Sequence, residues 1–127
     1  MLNNIDPKLW NGWKFLNSIA LTYDNKYKKQ YILFFENLKY TLPCEICKVH
    51  YTEYFDKSDK ETVFKNSDNL LNWLITLRNN IYKMNKRNKS FNVQSTIDEI
   101  FNKSYNFNLL IIFFIILILL YIYYKIE

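Results

Sequence analysis

The chain has 127 residues, 50% of them hydrophobic and 19% aromatic, with a formal net charge of +5. So much apolar surface excludes intrinsic disorder, because its burial can offset the entropy of ordering the chain. One Gly, two Pro, two Cys and one His exclude collagen, a turn-rich β-sandwich, glycine-rich phosphate loops, and a four-ligand Cys/His zinc site made from these residues alone.

The length allows one compact domain. The modest positive charge suits an anionic surface or cofactor and gives little reason to expect nucleic acid. Met1 to Asp6 has neither a basic run nor a long apolar run, so it does not read as a signal peptide. Asp6-Pro7 reads as an N-cap followed by proline at the first helical position. Leu9, Trp13, Leu16 and Ala20 then form one apolar helical face. Asp24 is expected to cap a second helix that turns Tyr27, Tyr31, Phe34, Phe35 and Leu38 inward, until Pro43 stops it. A third helix begins at Pro43, with Ile46, Val49 or His50, and Tyr54 facing in. Ser58-Asp59-Lys60 is a polar break. Ser67 or Asp68 caps a fourth helix with Leu70, Leu71, Leu74, Leu77 (or Arg78) and Ile81 inside. Asn85 to Asn92 is a basic loop, and Val93 to Tyr105 a short final helix carrying Ile97, Ile100 and Phe101. No alternating β pattern occurs. The expected fold is all-α: a four-helix bundle plus a short fifth helix, followed by a C-terminal transmembrane helix.

That last element rests on Leu109 to Tyr124, which contains no charged residue. With Phe107 and Asn108 it approaches the roughly 20 residues that cross a bilayer core. Lys103 precedes it, Lys125 follows, and Tyr121, Tyr123 and Tyr124 suit the membrane–water interface. The alternative is a buried core helix, but one apolar on every face needs more surrounding protein than remains. The expected division is a domain over 1–105 and a membrane span over 107–124, a tail anchor.

The segment that carries chemistry is Leu42-Pro43-Cys44-Glu45-Ile46-Cys47-Lys48-Val49-His50. Cysteines three apart at a helix start share a face and lie close enough to join in a disulfide. The N-terminal N–H groups and dipole stabilise a thiolate at Cys44, and thiolates attack disulfides and flavins. His50 falls about a turn further along, within reach of a cofactor or of Cys47. Competing readings are a buried structural Cys pair, a zinc site completed by ligands from elsewhere, and a thioredoxin-like domain. The last needs a βαβ pattern that is missing here.

An all-helical domain with such a dithiol resembles the Erv/ALR sulfhydryl oxidases. Trp13 to Ala20 resembles the family's W-x-x-L-H-x-x-A helix, Leu42 to His50 its P-C-x-x-C-x-x-H turn, and Trp73 to Tyr82 its W…H-N-x-V-N helix. Lys86 or Arg87 and Phe91 fall near the basic and aromatic positions that follow. Asn17 and Arg78 stand where the family has His, and Tyr82 where it has Asn; small poxviral-type members show comparable changes. The resemblance implies an FAD-dependent oxidase in which two thiols and oxygen give a disulfide and hydrogen peroxide. Cys44 and Cys47 would be catalytic, with Cys44, expected to be the more exposed, attacked by substrate and Cys47 facing the flavin. Trp13, Asn17, His50, Trp73, Arg78, Asn79, Tyr82 and Lys86 would contact FAD, Arg78 beside the diphosphate, and no metal is implied.

With one cysteine pair in the sequence, electrons are expected from a separate dithiol protein of thioredoxin or glutaredoxin type. A homodimer is also implied. A tail anchor would leave the catalytic domain facing the cytosol, on a cellular or virion membrane, where it would serve a virus assembling in the cytoplasm. The rival functions are a membrane-anchored helical interaction protein with an eroded flavin site, and a zinc-binding adaptor.

Overall fold

The computed structural model describes residues 12–126, with side chains at 12–101, 111–119 and 121–125. The expected helix start at Asp6-Pro7 and the apolar position Leu9 lie outside them. Among the described residues there is no strand; the elements are six helices and one 3₁₀ turn.

Helix α1 (Gly12–Leu21) buries Trp13, Leu16, Asn17 and Ala20, the face its spacing predicts, with a polar residue added. Asp24 caps, but its product is a single 3₁₀ turn over Asn25–Tyr27, in which its carboxylate accepts from the Lys26 N–H at 2.9 Å. Helix α2 (Lys28–Thr41) follows directly and fully buries only Phe35. Tyr27 and Phe34, expected inside, are exposed. An edge helix with one neighbouring layer has room inside for a narrow stripe only.

Helix α3 (Glu45–Lys57) starts two residues later than Pro43, because Cys44 has extended backbone and serves as the N-cap. Its inner face is Tyr51 and Phe55. This corrects the expected face: Ile46 and Val49 point to solvent, and Tyr54 is only half-buried. The apolar positions of this helix support two overlapping stripes a fraction of a turn apart, and packing selects between them. The expected break at 58–60 becomes a short helix α4 (Lys60–Val63), since the Asp59 carboxylate accepts from the Glu61 and Thr62 N–H groups. Its end delivers Phe64, fully buried, to the core.

Helix α5 (Ser67–Met84) is the central element, burying Leu70, Leu71, Trp73, Leu74, Ile75, Leu77 and Arg78. Asn66 is its cap, accepting from the Asn69 N–H at 2.8 Å. Neither Ser67 nor Asp68, the expected caps, fills that position; Ser67 instead donates to the Ala20 carbonyl at 2.8 Å, tying α5 to the end of α1.

Helix α6 runs from Val93 to Ile126 as one continuous helix, where a short helix and a separate span were expected. Asn92 begins it by accepting from the Ser95 N–H at 2.8 Å. No proline or glycine interrupts the run that follows, so the backbone has no reason to break. Among the described residues, no helix is long and apolar enough to cross a membrane. The expected span of 107–124 lies partly outside them, at the side chains of 107–110 and 120.

The densest packing surrounds Trp73. Phe35, Tyr51, Tyr54 and Phe55 place ring centroids 6.1, 6.2, 5.4 and 6.1 Å from it, mostly edge-on. Such pairs each add about 0.5–1.5 kcal/mol beyond their buried area. The indole N–H donates to Ser58 Oγ at 2.7 Å, and the Tyr51 hydroxyl to the Phe35 carbonyl at 2.7 Å.

Candidate redox site

Pro43 and the extended Cys44 turn the chain from α2 into α3, which sets both cysteines on the first turn of α3. Their sulfurs are joined, with Cα atoms 5.1 Å apart. Cys44 Sγ also accepts from the Cys47 N–H at 3.2 Å, so the capping position and the redox position coincide. The expected order of exposure is reversed: Cys44 is only 6% exposed, whereas Cys47 is half-buried. What Cys47 faces is a narrow apolar cleft of about 40 Å³ walled by Trp13, Leu16, Tyr51, Leu77, Ile81 and Tyr82, with Arg87 at its edge.

Two larger cavities adjoin this cleft along the C-terminal half of α5. One, of about 320 Å³, shares Leu77 and Ile81 with it and carries His50, Tyr54 and Lys57 on the α3 side. The other, of about 400 Å³, is bounded by Asn79, Asn80, Lys83, Lys86, Arg87 and Lys89, with no carboxylate in its wall. That basic wall is built by the way α5 ends. The Arg87 N–H reaches the Tyr82 carbonyl and the Lys86 N–H the Lys83 carbonyl, each at 3.0 Å, the pairing that closes a helix through a left-handed residue. Lys86 supplies that residue with φ of 53°. A Cβ in this region costs about 1–2 kcal/mol, and glycine would avoid it. A cation held there despite the cost marks the segment as a candidate site.

Behind the cleft lies a polar seam between α1, α5 and α6. Arg78 is 4% exposed and pairs with Glu99 through both terminal nitrogens, at 2.5 and 3.0 Å. Its guanidinium lies 3.5 Å from the ring centre of Phe91 and 5.7 and 5.6 Å from those of Trp13 and Tyr82. Both amide atoms of Asn17, the Arg78 Nε and the Thr96 Oγ1 are buried without a hydrogen-bond partner. Each such atom costs about 1–3 kcal/mol. Asn79 is fully engaged: its amide donates to the Phe91 carbonyl at 2.9 Å and accepts from the Phe91 N–H at 2.8 Å, clamping the loop that leads into α6.

The environment also moves proton affinities. Burial pushes the Tyr51 phenol far above its ordinary value, and burial raises Tyr54 against an opposing hydrogen bond with Thr76. Both rings therefore stay neutral and act as walls or hydrogen-bond donors. The Arg78 guanidinium holds the Glu99 carboxyl below the usual glutamate range.

The expected contacts thus divide. Trp13 and Tyr82 line the cleft, His50 the middle cavity and Lys86 the basic one. Asn17 is buried beside two cleft residues, Trp13 and Leu16. Trp73 stands in the aromatic core, and Asn79 both borders the basic cavity and holds the loop clamp. Arg78, expected beside a diphosphate, spends its charge on Glu99. Glu99, Lys83, Tyr51 and Leu77 were not expected at the site. For Glu99 a signal existed, since an arginine on the inner face of α5 requires a carboxylate opposite.

Together these features define a helical domain that holds a disulfide against an apolar cleft with a basic margin. The chain belongs to the Erv1/Alr family, whose model matches residues 10–104. It is similar to a "Probable FAD-linked sulfhydryl oxidase" of Acanthamoeba polyphaga mimivirus, 30% identical over 82 residues that cover 59% of this chain and 57% of that protein. The chain therefore matches little more than half the length of that curated relative. No solved structure matches it.

Proposed function

We propose that this chain is an FAD-dependent thiol oxidase that makes disulfides in partner proteins. The observation that carries the reading is that Cys47, one partner of the Cys44–Cys47 disulfide, lines the cleft. The residues present fit the cofactor. The unpartnered amide of Asn17 offers a donor and an acceptor of the kind a flavin ring edge requires. The carboxylate-free basic wall of Lys83, Lys86 and Arg87 suits a diphosphate. The cleft, about 40 Å³, is smaller than the three-ring flavin head, so admitting it requires the walls to move apart.

A substrate thiolate attacks Cys44 Sγ, breaking the disulfide and forming a mixed disulfide with Cys47 as the leaving thiolate. The second substrate thiol, losing its proton, then attacks the mixed disulfide at the substrate sulfur. The substrate leaves oxidised, and Cys44 and Cys47 hold the electron pair. The N-terminal N–H groups of α3 stabilise the thiolates throughout. Bound FAD supplies the passage of the pair from Cys47 to oxygen, giving hydrogen peroxide. Cys44, being the more buried sulfur, is reached at the exposed α3 start beside Glu45 and Ile46.

The donor in this reading is a small dithiol protein of thioredoxin or glutaredoxin type, and the enzyme is a homodimer. The exposed Phe15, Leu33 and Phe34 on α1 and α2 support pairing. Residues 107–124 of α6 cross a membrane, and the catalytic domain faces the cytosol. The charge-free sequence supports this, as do the described side chains from Ile111 to Leu119, each 44–60% exposed. Arg87, Lys89 and Lys103 before the span support the orientation. The mimivirus relative, a probable FAD-linked sulfhydryl oxidase, supports the activity, and the reading extends it to disulfide formation during virion assembly in the cytoplasm.

The test is the purified protein itself, expected to carry noncovalent FAD near one per chain. A folded, colourless protein that refuses added FAD sinks the oxidase reading. In cells, protease on the cytosolic side of intact membranes is expected to cut the region around Cys44; protection would reverse the topology and leave the chemistry standing.

A further inference from the structure

A buried arginine on an apolar helix face needs a counter-charge, and Arg78 takes its own from a different helix. Its guanidinium lies on the inside, against Phe91 and behind the rings of Trp13 and Tyr82, two walls of the cleft that holds Cys47. The Glu99 carboxylate lies on the outer side, 39% exposed against 5% for the arginine side chain. The pair is therefore a dipole with its positive end toward the redox cleft. Arg78 Nε remains without a hydrogen-bond partner, so Glu99 is the one counter-charge paired with this guanidinium among the described residues. Glu99 also sits on α6, so the helix that carries the apolar segment is joined to the back of the cleft wall.

We propose that Glu99 is a positioning residue for the redox dithiol: it holds the Arg78 guanidinium behind the cleft wall and offsets its charge, and so sets how readily the Cys44–Cys47 disulfide is reduced. The physical route is field alone. A cation behind a desolvated wall acts on a thiolate across a cleft with far less screening than in water. The oxidised pair is neutral, whereas the reduced pair carries thiolate character, so an uncompensated cation favours reduction. The proposal rests on the oxidase reading only in giving that dithiol a catalytic role; the charge effect belongs to this chain's own residues.

The experiment is the thiol–disulfide equilibrium of the full chain with glutathione, in which two glutathione thiols reduce the Cys44–Cys47 disulfide and leave as glutathione disulfide. Glu99→Gln removes the offsetting charge. It is expected to shift the equilibrium toward the protein dithiol by about tenfold, ~30 mV for this two-electron couple. Glu99→Asp, which keeps the charge, is expected to restore the parent value.

The exchanged pair Arg78→Glu with Glu99→Arg separates field from scaffolding. A purely structural bridge would regain both thermal stability and the parent equilibrium. The proposed dipole, reversed, is expected to regain stability while shifting the equilibrium severalfold toward the disulfide. An equilibrium within twofold of the parent in Glu99→Gln overturns the proposal. If Glu99→Gln does not fold, the same result in the exchanged pair overturns it. The expected shifts in a protein that takes up no FAD would sink the oxidase reading and leave this one in place.

Discussion

The two halves of α5 are built to opposite specifications. Along its first half every named polar side chain has work: Ser67 bonds to the Ala20 carbonyl, the Asn69 amide to the Thr62 carbonyl, and Trp73 to Ser58. Along the second half, Arg78 keeps an unpartnered nitrogen, as Asn17 on α1 and Thr96 on α6 keep unpartnered atoms, three cavities open, and the helix ends on a left-handed lysine. What differs is the use made of burial: one half pairs its polar groups and packs its rings, and the other leaves polar groups unpartnered beside open space, which in the proposed reading a ligand would fill.

The sharpest way to break that comparison is to strike the chemistry without touching the core. Cys47→Ser is expected to take turnover on a small dithiol to background while leaving the melting temperature nearly unchanged. Cys44→Ser, with Cys47 left as a free thiolate, is expected to show a long-wavelength charge-transfer absorbance with FAD. The band appearing only in Cys47→Ser would reverse the two roles.

The converse change is Trp73→Ala. Loss of the indole removes four ring contacts and the donor to Ser58, and is expected to cost about 3–5 kcal/mol in denaturant unfolding. A loss below about 1 kcal/mol would mean that the first half of α5 is not the stabilising half.

Asn17→Leu tests the unpartnered groups directly. At a satisfied polar site such a change destabilises. Here it is expected to raise the stability of the cofactor-free protein by about 1–2 kcal/mol, since two buried unpaired atoms disappear. The same variant should bind FAD more weakly. Loss of stability together with unchanged FAD affinity would show that Asn17 is an ordinary core residue.

The smallest expected effect concerns acid. Because the Glu99 carboxyl is held below its unfolded value by Arg78, its stabilising contribution is complete above about pH 4.3, the ordinary glutamate value. It is lost as pH falls through the lower folded value. With a partly exposed carboxylate this is worth about 1 kcal/mol or less. Unfolding curves between pH 7 and pH 3 should therefore converge for the parent and Glu99→Gln, and parallel curves would argue against a paired Glu99.

Much of the site was legible because its signals are local. A CxxC after proline puts two sulfurs on one helical turn whatever surrounds them, and Trp13 with Leu16 and Ala20 marks an inner face by spacing alone. Trp73 was legible as buried, but the partners that surround it were not. Those partners are Tyr51, Tyr54 and Phe55, arriving from α3, and Ser58, arriving at the indole N–H. The α3 face was misjudged for a related reason. Ile46 and Val49 are apolar, but the layer beneath them is already filled by Tyr51 and Phe55, so they remain outside.

The sequence by itself determined the helical class, the position of the redox turn and the apolar character of the last segment, because periodicity, proline placement and charge are properties of neighbouring residues. Only the tertiary structure decided that Cys44 is the more buried of the two cysteines, that Arg78 spends its charge on Glu99, that Asn79 clamps Phe91, and that α6 continues unbroken from Val93. Those outcomes join residues 12 or more apart in the chain or depend on which surface is already covered. Burial and pairing of that kind are settled by what packs opposite, which local sequence does not encode.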